Sequence, residues 1–210
     1  MRCPAHAELG LAVAHDLGCA VDGTDAALAS LAAGLAPGDA FAELEAVRAL
    51  CATFGTGPAL LLPDVLRARA GDPAAVTLAV AAAAQRAGLA LDVVAPRAEP
   101  QPDDAFALRA GAEPAAPAGD ALYLAHPDAT LIVDPAGRLL DGRTLGVDLE
   151  WRCAHETAAT ILDRISARAE RTGDLPLATA ARALTLTLPL EHGSRDVRVR
   201  EHARLLARLN

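Results

Sequence analysis

RARAGDPAAVTLAVAAAAQRAGL, residues 67–89, is the stretch whose reading decides the fold. Gly71-Asp72-Pro73 is a turn. Asp72 is placed to accept from the free N–H groups that open a helix. Pro73 fits the first helical position, where a missing N–H costs nothing. The residues that follow are small or apolar on every side, and Gly88 supplies a left-handed stop. A helix that is apolar all round is buried all round. The segment therefore predicts a central buried helix over 73–87. Ala79, Ala83 and Ala87 let neighbouring elements approach it closely.

Working upstream, residues 5–55 read as helical. Thr24 or Asp25 is placed to cap a helix with Leu28, Leu31 and Leu35 on one face. Pro37-Gly38 breaks it. Asp39 caps the next, whose apolar face is Phe41, Leu44, Val47, Leu50, Cys51 and Phe54, spaced at helical intervals. Residues 59–69 predict a short helix or turn interrupted by Pro63. Gly55-Thr56-Gly57 resembles a phosphate loop only superficially, because no Lys-Ser or Lys-Thr pair follows.

Working downstream, residues 89–95 predict a strand, with Leu91 and Val93 alternating. Residues 97–119, rich in Pro, Ala, Gly and acids, predict a long loop or insertion, with Asp103-Asp104 a solvated pair. Residues 121–124 and 130–133 flank His126-Pro-Asp-Ala and predict a hairpin. Asp134-Pro-Ala-Gly137 ends its second strand in a turn. From Leu149 onward the pattern reads as helical. One face carries Trp151, Ala154, Ala158, Ile161, Leu162, Ile165 and Ala169. After the Thr172-Gly-Asp break, the next carries Leu177, Ala178, Ala181, Leu184 and Leu188. Pro189 and Gly193 set off a last helix with Val197, Val199, Leu205, Leu206 and Leu209. Helical hairpins of this kind are the units of tetratricopeptide repeats.

Composition narrows the function classes. The 210 residues suffice for one domain with an appendage or for two small ones. The chain is 52% hydrophobic but only 2% aromatic, so the core is aliphatic and rich in alanine. The cations are all arginine, and the net charge is −8. That balance argues against a nucleic-acid partner, whose binding rests on phosphate neutralisation. No apolar run approaches the ~20 residues of a membrane span, and MRCPAHAELG lacks a signal-peptide core. The expectation is a cytoplasmic protein with four free thiols, Cys3, Cys19, Cys51 and Cys153.

The order of these features resembles the bacterial transglutaminase-like SirB family with tetratricopeptide tails. AELGLAVAHDLGCAVD and DAALASLAAGL look like that family's opening helical region. Its R-x-G-x-P, followed by an amphipathic helix ending in Gly-Leu, is matched by Arg69, Gly71, Pro73, Gly88 and Leu89. Residues 119–124, then Ile132-Val133-Asp134-Pro135 and Gly137-Arg138-Leu139-Leu140, are similar to its strands. RTGDLPLATAARALTLTLPL is similar to its repeat-like end. The resemblance implies an α+β, mostly helical chain. A degenerate transglutaminase-like (papain-like) core with a small antiparallel sheet would span 1–148. A tetratricopeptide-like helical tail would span 149–210.

The departures carry the functional reading. The resemblance implies a triad: a Cys at a helix N-terminus, a His as its base and an Asp orienting the His. The vestigial triad positions here are Ala75, Asp120 and Asp134, and only the last keeps its type. An orienting acid without base or nucleophile runs no acyl transfer, which implies a pseudoenzyme without cofactor. The expected function is a non-catalytic module that binds a protein or peptide partner. Its binding surface lies between the helices at 156–171 and 175–188, with Arg164, Arg168, Arg171 and Arg182 suited to an acidic peptide. The bland reading makes these arginines a solvated outer face.

The competing reading is a cysteine-dependent amide hydrolase or acyltransferase with a displaced nucleophile. Cys51 is its candidate by type, though its place on an apolar face predicts a buried thiol. His126 reads as a solvated turn residue rather than a base. Asp134 reads as the cap of its proline turn, or, with Asp120, as half of a carboxylate pair. Cys153-x-His155 offers two metal ligands without a second pair, so no metal is expected.

Overall fold

Short helices broken by Gly and Pro build the first third. In the computed structural model, which describes residues 3–97, 121–190 and 192–209, these are α1 (His6–Asp16), α2 (Thr24–Ala32) and α3 (Ala40–Cys51). Asp39 caps α3 as expected, its carboxylate accepting from Ala42 N at 2.8 Å. Thr24 does not cap α2. The left-handed Gly23 precedes the helix, and Thr24 lies inside it, buried. Phe41 sits on α3 but is 58% exposed, so the buried face of that helix is Glu43, Leu44, Val47 and Cys51.

The two-residue strand β1 (Gly55–Thr56) pairs in parallel with β2 (Ala70–Gly71). Between them α4 (Leu62–Ala68) takes Pro63 into its first turn. Proline opens that helix rather than interrupting it, because the first turn needs no N–H from it.

The quoted stretch becomes α5 (Pro73–Ala87), with both ends as read. Asp72 accepts from Ala74 N at 3.0 Å, and Gly88 ends the helix at φ 78°. Every residue from Ala74 to Ala84 is buried. Thr77, the polar exception, satisfies its hydroxyl by donating towards Pro73 O (3.2 Å) and Leu122 O (3.3 Å). The second bond ties the helix to the chain that enters the sheet.

Among the described residues that sheet has five strands in the order β6-β5-β4-β3-β7, with every neighbour antiparallel. They are β3 (Asp92–Pro96), β4 (Tyr123–Ala125), β5 (Leu131–Val133), β6 (Leu139–Asp141) and β7 (Leu149–Arg152). The expected hairpin is β4–β5, with Leu124 opposite Val133. One face of the sheet (Val93, Ala95, Leu124, Val133) joins the core built on α5. The other face gathers Val94, Ala125 and Ile132 beneath Tyr123, Leu140, Leu145 and Leu149.

The tail holds α6 (Ala154–Thr172), α7 (Leu175–Thr187) and α8 (His192–Leu209). Here the reading of continuous helix from Leu149 is corrected. Leu149–Arg152 alternates as a strand and pairs with β3, Trp151 standing 52% exposed on it, and α6 starts only after Cys153. Gly193 likewise lies within α8 rather than before it. The division read at 148/149 falls immediately before β7, a strand of the sheet. Ala158, Ile161, Leu162, Ile165 and Ala181 share one core with α5 and the sheet.

The chain is thus α+β and mostly helical. Among the described residues no helix is long and apolar enough to cross a membrane. Residues 98–120, and with them Asp103, Asp104 and Asp120, lie outside the described residues.

Ala79 and Ala83 are fully buried. Leucine at either site must displace close-packed neighbours. We expect Ala79→Leu or Ala83→Leu to cost about 1–3 kcal/mol in thermal unfolding. Unchanged melting of both variants would contradict the burial of this helix.

Candidate functional site

A groove of about 1370 Å³ runs across the start of α5, the sheet and the tail helices. The sequence dictates its floor. Asp72-Pro73-Ala74 open α5, and the β5–β6 turn brings Asp134 and Arg138 to the same wall. The opposite wall carries Arg164, Arg168 and Arg171 on α6, Arg182 on α7 and Arg198 on α8. All four arginines read from the sequence therefore meet one cavity, and Asp134 lines that cavity as well.

Their environments differ. Arg164 reaches both Asp72 oxygens, at 2.8 and 3.1 Å, linking α6 to the α5 cap. Arg182 contacts Asp163 (2.5 Å) and Glu201 (3.1 Å), and Arg198 contacts Asp163 at 2.9 Å. Burial pushes the Asp163 carboxyl up, against the downward pull of Arg198 and Arg182. Arg168 donates to Pro58 O at 2.6 Å. Arg171 is exposed and has no ion pair among the described residues. The solvated-face reading thus fits Arg171, while Arg164 and Arg182 are held by internal carboxylates.

Six arginines and four carboxylates line the groove, in a chain whose net charge is −8. Its local charge has the opposite sign to the whole molecule's. A surplus of planar forks suits carboxylates and phosphates.

The three positions that the resemblance assigns to a triad, Ala75, Asp120 and Asp134, hold no thiol or hydroxyl. Ala75 is fully buried in α5. Asp134 is 4% exposed and works as a turn cap, as one of its two readings had it. One of its oxygens accepts from Ala136 N (3.0 Å) and Arg138 N (2.8 Å), and the other accepts from Arg138 Nε (2.6 Å). Cys51 is fully buried. Burial, and secondarily the Asp134 charge, push its thiol up to about 12. At neutral pH it is a protonated core residue and a poor nucleophile.

His126 is the clearest correction. It is not a solvated turn residue but 6% exposed. Its Nδ1 accepts from Asp128 N at 3.1 Å, and its Nε2 lies 3.8 Å from the buried Glu43 carboxylate of α3. The turn signal His-Pro-Asp-Ala was right about the backbone and silent about the helix above it.

A second cluster lies elsewhere, at the starts of α1 and α6. Cys3, Cys153 and His155 place their sulfur and nitrogen atoms within 4.8 Å of one another. The sequence showed the Cys153-x-His155 pair. The third member comes from the other end of the chain. Nothing local in Cys3 signals this meeting.

The chain matches no family model, no curated protein and no solved structure.

Proposed function

We propose that this protein is a non-catalytic member of the transglutaminase-like (papain-like) class with a repeat-like helical tail, acting as a peptide-binding module. Its ligand is an acidic segment of a partner protein, docked in the arginine-lined groove. The observation that carries the reading is the surplus of arginine over carboxylate in a groove of an acidic protein. Long-range repulsion keeps acidic chains off the rest of the surface, and the groove offers them forks to pair with.

The arginines do not contribute equally. Arg164, Arg182 and Arg198 are committed to Asp72, Asp163 and Glu201, so they shape the wall. Arg171, exposed and without an internal ion pair among the described residues, and Arg168, held by a single carbonyl, are the pair that meets the ligand.

The competing hydrolase reading loses Cys51, because a fully buried thiol pushed up to about 12 is neither ionised nor accessible.

The test is fluorescence anisotropy with a dye-labelled hexaglutamate peptide. Binding should weaken as salt is added. The double variant Arg168→Glu, Arg171→Glu should bind at least about tenfold more weakly, roughly 1.4 kcal/mol. Equal binding by the variant, or none by the natural chain at low salt, would remove the groove from consideration.

A further inference from the structure

The Cys3, Cys153 and His155 cluster is built by tertiary structure. Its members are separated by up to 152 positions, and Cys3 Sγ lies 3.6 Å from His155 Nδ1. The segment entering α1 is fixed against the start of α6. His6, 1% exposed, contacts Thr157 Oγ1 through Nε2 at 3.3 Å. Gln85 of α5 holds the same histidine twice, at its ring Nδ1 (2.8 Å) and its backbone N (3.1 Å). Three residues upstream of this anchored histidine, Cys3 has little freedom to be elsewhere.

At the other side, Cys153 is the N-cap residue of α6, and Glu156 accepts from its backbone N at 2.9 Å. The cluster opens on a cleft of about 760 Å³ beside Glu8, Gln85 and Asp92.

We propose that Cys3, Cys153 and His155 bind a single zinc ion, with the fourth position filled by water from the cleft. Two thiolates and a neutral imidazole balance the charge of a divalent ion. They are the ligand types that borderline-soft zinc prefers and that magnesium and calcium avoid. Zinc–sulfur and zinc–nitrogen bonds of ~2.3 and ~2.0 Å in a tetrahedron set the sulfur–nitrogen edge at about 3.5 Å. The Cys3–His155 separation of 3.6 Å already has that length. The remaining edges, within 4.8 Å, close by at most about 1.3 Å, within the reach of a side-chain rotation.

Cysteine binds zinc as the thiolate and histidine as the neutral imidazole, so the ion displaces protons and uptake strengthens as pH rises. Bound there, it ties the segment before α1 to the start of the tail.

Full-length protein, reduced with a phosphine and freed of metal by a chelator, is titrated with cobalt(II) and then zinc(II). The natural chain should take up one cobalt per chain, with a thiolate-to-cobalt charge-transfer band and intense tetrahedral d–d bands that stoichiometric zinc bleaches. Cys3→Ser, Cys153→Ser and His155→Ala should each lower cobalt affinity at least tenfold. Serine is among the best N-cap residues, so Cys153→Ser keeps α6 intact, and an unchanged circular dichroism spectrum separates lost metal from lost fold. Zinc should also raise the melting temperature of the natural chain but not of Cys153→Ser. Absence of the tetrahedral cobalt spectrum in the reduced natural chain overturns the proposal. So does uptake by the Cys3→Ser and Cys153→Ser chains equal to that of the natural chain. Rapid alkylation of Cys3 in a chain that takes up no cobalt also overturns it, and makes the cluster a thiol–imidazole pair instead.

Discussion

Alanine in place of Gly137 is expected to cost about 3–4 kcal/mol, a fall in melting temperature of roughly 10 °C. Two effects add. Gly137 has φ +75°, a conformation that costs an L-residue about 1–2 kcal/mol. A Cβ at this site would also stand 2.7 Å from Arg48 O and 2.9 Å from Ala52 N, both backbone atoms at the end of α3. No rotamer relieves a backbone clash, so the turn or the helix end must shift. The turn is closed by Gly137 N donating to Asp134 O (2.9 Å) and Asp134 N donating to Arg138 O (3.0 Å), which leaves little slack. Gly146 is the control. Its φ is +68° and nothing lies within 4 Å of its added Cβ, so Gly146→Ala should show the backbone cost alone, about 1 kcal/mol. Equal melting of the two variants would mean that the β5–β6 turn does not rest on α3.

The contrast between these glycines marks what the sequence could disclose. Local features were legible because their causes lie within a few residues. Asp72-Pro73 and Gly88 bracket α5, and Asp134-Pro-Ala-Gly137 makes its own turn, so both appear where the residues placed them. Features made by distant pairing were not legible. Leu149–Arg152 is too short to announce a strand, and its partner β3 lies on the far side of residues 98–120. A run beside a long helical pattern therefore reads as part of it.

The site divides in the same way. Arg164, Arg168, Arg171 and Arg182 could be named from helical spacing. That Arg164 grips Asp72 across 92 positions could not. Cys153 and His155 were visible as a pair. Cys3 became their neighbour only because His6 is anchored to Thr157.

Glu43 is a strong tertiary tie of this kind, and its removal should show it. We expect Glu43→Ala to cost about 2–4 kcal/mol. The side chain is 3% exposed, yet it serves three partners. Gly38 N donates to one oxygen at 3.1 Å, and Ala90 N donates to the other at 2.8 Å. His126 Nε2 stands 3.8 Å from that second oxygen. One carboxylate thus joins the loop before α3, the chain leaving α5 and the β4–β5 hairpin. Alanine removes the acceptor from two backbone donors and leaves a void where α3 meets the sheet. Glu43→Leu separates the causes, because it fills most of the volume but accepts no hydrogen bond. If packing dominates, leucine restores most of the loss. If the donors dominate, leucine restores little and Glu43→Gln, which keeps one acceptor, restores more. A double-mutant cycle between Glu43→Gln and His126→Ala measures the remaining contact, and coupling of at least ~0.5 kcal/mol is expected for groups in one network. Additive losses would mean that the histidine is buried for its shape alone. The hairpin would then be held to α3 chiefly through the Gly137 turn, whose substitution should in that case unfold the sheet edge first.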